Sequence, residues 1–183
     1  MRDTHPKFSH ITVSLHWIIA LGMIALIAFG LYIEDLPRGP EKSQLIGLHK
    51  SFGILIFLLA VLRIGWRLVN RFPRPLGSMP AWQESLAKLT HWVLILGTVL
   101  MPISGMLMSI GGGHPVGVFG FELIAGSDRE IEAMSQAGHT LHGLGGKLLI
   151  LFIVLHIAGA IKHSVPDKDG TTQRMLGKSV ERV

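Results

Sequence analysis

The sequence has no cysteine. Disulfides, iron–sulfur clusters and thioether-linked haem are therefore excluded, and any bound metal must be held by His, Met or carboxylate side chains. Charge is scarce too: 16% of residues are charged, against about 25% in a soluble domain. Hydrophobic residues make up 49% of the chain, mean hydropathy is +0.47, and the apolar residues gather in four long runs, as expected where lipid is the solvent. No small-residue cleavage pattern follows the first run, which ends at Glu34 and Asp35; it reads as a retained span rather than a cleaved signal. The net charge of +5 invites a nucleic-acid reading, but the basic residues sort by membrane side, so no nucleic-acid partner is expected.

The expected fold is an all-α membrane protein, a four-helix transmembrane bundle forming a single domain over 1–183, with helices at about 13–33, 45–69, 88–110 and 139–163. Each run approaches or exceeds the roughly 20 residues that cross the hydrocarbon. Pro102 predicts a kink in the third, and Trp17, Trp66 and Trp92 lie near span ends, where interfacial aromatics belong. Twelve of the seventeen Lys and Arg (Arg2, Lys7, Arg63, Arg67, Arg71, Arg74, Lys88, Lys162, Lys168, Arg174, Lys178 and Arg182) fall to one side. The positive-inside rule makes that side, with both termini, cytoplasmic. Arg38, Lys42, Lys50, Arg129 and Lys147 remain outside, among seven acids: Glu34, Asp35, Glu41, Glu122, Asp128, Glu130 and Glu132. The Gly-rich start of the long outer segment, Gly111-Gly112-Gly113-His114-Pro115, reads as a loop.

Ionisable groups within a span are costly and are functional candidates by default. His16, His49, His142 and His156 lie inside or at the margins of spans. His142 and His156 are fourteen residues apart on one helix, which puts them within about 40° of one face and about 21 Å apart along the axis. With the alternating directions of the spans, His16 falls level with His156 near the cytoplasmic surface, and His49 level with His142 near the outer one. Two facing pairs at two depths suit two non-covalent b haems, each held between imidazoles delivered by neighbouring helices. One turn beyond the four His stand Ala20, Gly53, Gly146 and Ala160, small enough to admit a flat macrocycle, although small residues also recur wherever membrane helices pack. Zinc needs three or four clustered ligands, which a separation of about 21 Å forbids. A lone intramembrane His is more often a hydrogen-bonded structural residue; the paired depths favour ligation here.

Haem propionates need cations near each surface. Lys50 and Lys147 are the outer candidates, and Arg63 and Arg67 the cytoplasmic ones, each against the plainer alternative of a side chain snorkelling at a helix end. His163, seven residues past His156, lies within about 20° of the same face. It is a candidate proton-transfer group for a substrate such as quinone that gains electrons and protons together; on spacing alone an interfacial His in a basic tail explains it as well. His91, His114 and His139 read as structural or as supporting groups beside the ligands.

In order along the chain stand Leu15-His16-Trp17, Gly47 to Leu55 (GLHKSFGIL), Leu62 to Arg67 (LRIGWR), Ala87 to Trp92 (AKLTHW), Val118 to Phe121 (VFGF) and the series His142, His156, His163 followed by Asp167-Lys168-Asp169-Gly170-Thr171. Over nearly its whole length the chain resembles the bacterial cytochrome b561 family of di-haem, four-helix membrane proteins. The resemblance implies haem b ligation by His16 with His156 and by His49 with His142, and a quinone site involving His163 near the cytoplasmic haem. It further implies a place in the bacterial inner membrane, and for some members oxidation of superoxide at the outer face with ubiquinone as acceptor. The expected function is an electron-transfer oxidoreductase between an unidentified outer donor and membrane quinone. The alternative is a haem b anchor subunit fed by a partner dehydrogenase or hydrogenase, and either a homodimer or a partner subunit is compatible with the chain. A His-based proton or metal-ion transporter is disfavoured by the near absence of carboxylates within the spans.

Overall fold

A computed structural model describes residues 3–4, 6–70 and 75–180. Arg2, Arg71, Arg74 and Arg182, counted above for orientation, lie outside the described residues. Four helices long and apolar enough to cross a membrane dominate the molecule: α1 (His10–Asp35), α2 (Pro40–Asn70), α3 (Ala81–Gly111) and α4 (Glu132–Ser164). A hairpin of β1 (Val116–Val118) and β2 (Phe121–Ile124) lies between α3 and α4, and a short α5 (Thr171–Met175) follows α4. The hairpin marks one end of the bundle, and α5 with the segment ahead of α1 marks the other.

All four helices outrun the apolar segments that predict them, because their ends are set by local sequence rather than by hydrocarbon thickness. Ser9 caps α1 with a hydroxyl accepting from Thr12 N. α2 opens on Pro40, whose missing N–H costs nothing in a first turn, and α3 begins directly after Pro80. α4 starts at Glu132, seven residues before the predicted 139. The segment read as an outer loop carries the antiparallel hairpin; its turn places Phe119 at φ 47° and Gly120 at φ 90°, and two positive φ values together suit the twist of a tight hairpin.

Outward-facing side chains such as Leu21, Leu58, Leu62, Leu96, Leu144 and Val154 are exposed, the expected state against lipid acyl chains. Inward packing relies on small residues. Gly111 and Gly138 bring the α3 and α4 backbones so close that an added Cβ would strike Ser135 or Met108, while Gly97 receives Leu149 and Gly22 receives Ile56. α3 runs closely along α4 and α1 along α2, but α1 and α4 make little direct contact. Ile19, Met23, Ile56 and Leu149 form the buried centre, flanked by Leu26, Ile27, Leu59, Leu94 and Met101.

Candidate functional site

The four intramembrane histidines come together as two pairs on either side of that aliphatic centre. At the end bearing α5, the ring centroids of His16 on α1 and His156 on α4 are 6.1 Å apart. At the hairpin end, those of His49 on α2 and His142 on α4 are 6.2 Å apart. An iron about 2 Å from each nitrogen, with roughly 1 Å more to each ring centre, asks for centroids about 6 Å apart. Both pairs meet that demand, and both span the sparsely packed side of α4.

The surroundings of the hairpin-end pair fit a bound macrocycle. His142 Nδ1 lies 3.1 Å from the Met101 carbonyl and 3.0 Å from Ser104 Oγ. Its Nδ1–H donates to the carbonyl, which leaves Nε2 with a bare lone pair, the tautomer that a metal requires. On the other side, His49 Nδ1 is buried with no hydrogen-bond partner among the described residues, a cost that calls for a partner the side chains do not supply. Glycines flank both rings: a Cβ at Gly30 would stand 3.2 Å from His49 Cε1, and one at Gly105 would stand 3.4 Å from His142 Cε1, whereas one at Gly53 would meet nothing within 4 Å. Lys50 donates to Pro115 O at 3.2 Å, joining this level to the hairpin, and Phe119 N donates to Ser51 Oγ at 2.9 Å. Lys147 is exposed on α4.

The level near α5 is more crowded. Arg63 Nη2 donates to His16 Nδ1 at 3.0 Å, so the His16 proton rests on Nε2. Iron binding through Nε2 would move that proton to Nδ1 and free Arg63 for a propionate. Arg67 is engaged by Asp3 at 2.9 Å. His91, read from sequence as structural or as a supporting group, stands closer to His156 than His16 does, at 5.4 Å between centroids. Its depth signals it, since α3 enters the bilayer at this end, but Ile95 rather than a small residue stands one turn on.

Beyond the bundle, His163 Nδ1 is 2.6 Å from Asp169 Oδ2 and 3.6 Å from Asp167 Oδ2. Asp167 is taken up by Lys162 at 2.5 Å. Neither aspartate was singled out as a functional group from sequence. Burial works against the Asp169 charge, but hydrogen bonds from the Thr171 backbone and hydroxyl and from His163 outweigh it and hold the carboxyl below its ordinary value.

A family model described as prokaryotic cytochrome b561 matches residues 7–178. Cytochrome b561 homolog 2 of Escherichia coli K12 is 32% identical over 97% of this chain and 95% of its own length. A probable superoxide oxidase of Yersinia pestis is 28% identical over 95% and 98% respectively. A probable Ni/Fe-hydrogenase B-type cytochrome subunit of Cupriavidus necator is 25% identical over 88% and 80%.

Proposed function

This chain belongs to the prokaryotic cytochrome b561 family, and on that premise we propose that it carries two b haems and passes electrons from a donor at the outer surface to quinone in the membrane. As a member with four spans it is a multi-pass protein of the bacterial inner membrane, and its cofactor is haem b. Three further assignments belong to the proposal: the count of two, the cytoplasmic placement of both termini and the link to quinone. The observation that carries it is the double pairing of His16 with His156 and His49 with His142, each near the separation that one six-coordinate iron requires.

Haem b, when bound, supplies reversible one-electron storage. His49 and His142 would hold one haem by Nε2, with Met101 and Ser104 fixing the His142 ring. His16 and His156 would hold the other, with Arg63 turning from His16 to a propionate. Lys50 and Lys147 are the candidate propionate partners at the outer level, and Arg67 a second one inside. Held by two imidazoles, each haem would serve electron transfer rather than oxygen activation. Ile19, Met23, Ile56 and Leu149 keep water out of the space between the levels while leaving electron tunnelling free to cross it. His163 lies beyond His156 on the same helix, where the quinone would accept electrons and protons.

The donor is less constrained than the path. The relative from Yersinia pestis is named for superoxide, yet acids outnumber bases on the outer side of this chain, and an anionic radical is drawn to positive potential. Lys50, next to His49 in sequence, brings one positive charge to the outer pair, and Lys42 lies about two turns earlier on α2. The second reading, a haem b subunit serving a partner enzyme, draws on the hydrogenase subunits; the fuller coverage of the superoxide oxidase relative, 98% against 80% of its length, favours the free-standing oxidoreductase. A stable complex recovered from membranes in mild detergent would favour the subunit reading. The test of the ligand assignment is haem stoichiometry. The parent protein is expected to hold two haems per chain, and His142→Ala and His156→Ala one each, by visible spectrum and extracted haem. Unchanged haem in either variant removes that residue as a ligand.

A further inference from the structure

The His163 side chain is 18% exposed and that of Asp169 16%, too enclosed for an ordinary surface ion pair, which water screens to little effect. Three features fix the carboxylate. Gly170, at φ 85°, turns the chain between α4 and α5; Thr171 N donates to Oδ1 at 2.9 Å; and the backbone at Gly77 closes over Oδ2, to which a Cβ there would come within 3.5 Å. Thr172 Oγ1 donates to Ala160 O at 3.0 Å, tying the start of α5 back to α4, so the carboxylate and the imidazole are held by one rigid corner.

We propose that Asp169 is the positioning residue of the quinone site: by taking the Nδ1–H of His163 it fixes the ring and its tautomer, so that Nε2 is the nitrogen that exchanges protons with the quinone. The proposal rests on the quinone reading above. The charged and titratable groups around His163 assign the parts. Asp167 is drawn off by Lys162; Arg174 of α5 acts on Asp169 electrostatically, as His163 does on His91 of α3. Among the described residues, only Asp169 makes a short bond to the ring. Asp169 stays ionised because its donors outweigh its burial, so it holds the ring throughout a turnover and takes no proton itself. Each quinone gains two electrons, delivered singly from the His16–His156 level, and two protons. One proton leaves His163 Nε2 as an O–H bond forms at a quinone carbonyl oxygen. The other comes from water, and water re-protonates the ring.

A purely structural corner and a proton-positioning corner separate by the choice of electron acceptor. The purified, haem-loaded protein is reduced with dithionite and its haem re-oxidation followed by stopped flow, with decylubiquinone, which takes up protons, or ferricyanide, which takes none. Asp169→Asn is expected to slow the quinone reaction about tenfold to a hundredfold and to enlarge its solvent deuterium isotope effect. Haem content and the ferricyanide rate are expected to stay as in the parent. Asp169→Glu keeps the charge but moves it by one methylene, so its ratio of quinone to ferricyanide rates should fall less, and it carries the test if the Asn variant does not accumulate. A parental ratio in either variant, or equal slowing with both acceptors, overturns the proposal. His163→Gln separates the two levels of inference: normal quinone kinetics in that variant removes the quinone site itself, whereas slow kinetics there beside a normal Asp169→Asn removes only the role of Asp169.

Discussion

At His49 the ring is confined by space as much as by chemistry. Its Nδ1 has no partner among the described residues, and the face toward α1 is open only because position 30 is glycine, where a Cβ would stand 3.2 Å from Cε1. The branched side chain of Gly30→Val would drive the ring off its line with His142. The variant is expected to insert normally, to lose the haem held by this pair or bind it about tenfold to a hundredfold more weakly, and to keep the haem at the other level; extracted haem per chain on dilution reads this, and two firmly bound haems would refute the packing argument. The axial candidates were legible because helical periodicity converts sequence spacing into face and depth. Gly30, Gly105, Ser104 and Met101 were not, since they touch the imidazoles from other helices at separations that no period encodes. Asp169 was hidden differently: in sequence it is one of two nearby aspartates, and only the fold shows that Lys162 takes Asp167 and leaves Asp169 for His163.

The N-terminal arm ahead of α1 acts as an element of its own. Asp3 accepts from Ser9 N at 2.8 Å, from Thr12 Oγ1 at 2.8 Å and from Arg67 Nη1 at 2.9 Å, and Trp66 Nε1 donates to Thr12 Oγ1 at 2.8 Å. Phe8 lies under the guanidinium of Arg174, 4.3 Å from ring centroid to Cζ, and Val180 N donates to Pro6 O at 2.9 Å. Burial works against the Asp3 charge, but the hydrogen bonds from Ser9 and Thr12 and the charge of Arg67 outweigh it, so its carboxyl titrates below the ordinary 3.8. A lowered carboxyl stabilises the fold fully above the unfolded value and progressively less as pH falls through the lowered one. Asp3→Asn is therefore expected to cost about 2 kcal/mol at neutral pH, and the gap from the parent in detergent melts to close as pH drops below 3.8; a gap independent of pH would show that the charge is not what holds the arm. The four spans were readable because hydropathy reports the thickness of lipid. The arm, the hairpin and α5 were not: their residues are polar or short-ranged in pattern, and Asp3 finds Arg67 across 64 positions.

Taken as a whole, the molecule is two histidine levels separated by an aliphatic plug, with α4 contributing one imidazole to each. Fourteen helical residues set those levels about 21 Å apart along the axis, and Ile19, Met23, Ile56 and Leu149 fill the interval. On the proposed path, no single level reaches both surfaces, so an electron entering at the hairpin end would use both pairs to reach quinone near His163. This makes the single-site variants opposites rather than equivalents. In proteoliposomes sorted for one orientation, His156→Ala should still have its outer haem reduced by a membrane-impermeant donor added at the hairpin face, yet pass electrons to quinone at least about a hundredfold more slowly than the parent, because removing the inner station lengthens the tunnelling step by roughly its whole spacing. His142→Ala should show the converse, with an inner haem that equilibrates with quinone at the parental rate but is reduced only slowly from the hairpin face. Both variants should lose overall donor-to-quinone turnover to a similar degree, so turnover alone cannot separate them; the half-reactions do. Rapid quinone oxidation of the haem that remains in His156→Ala would place the quinone at the hairpin end and reverse the direction of the path.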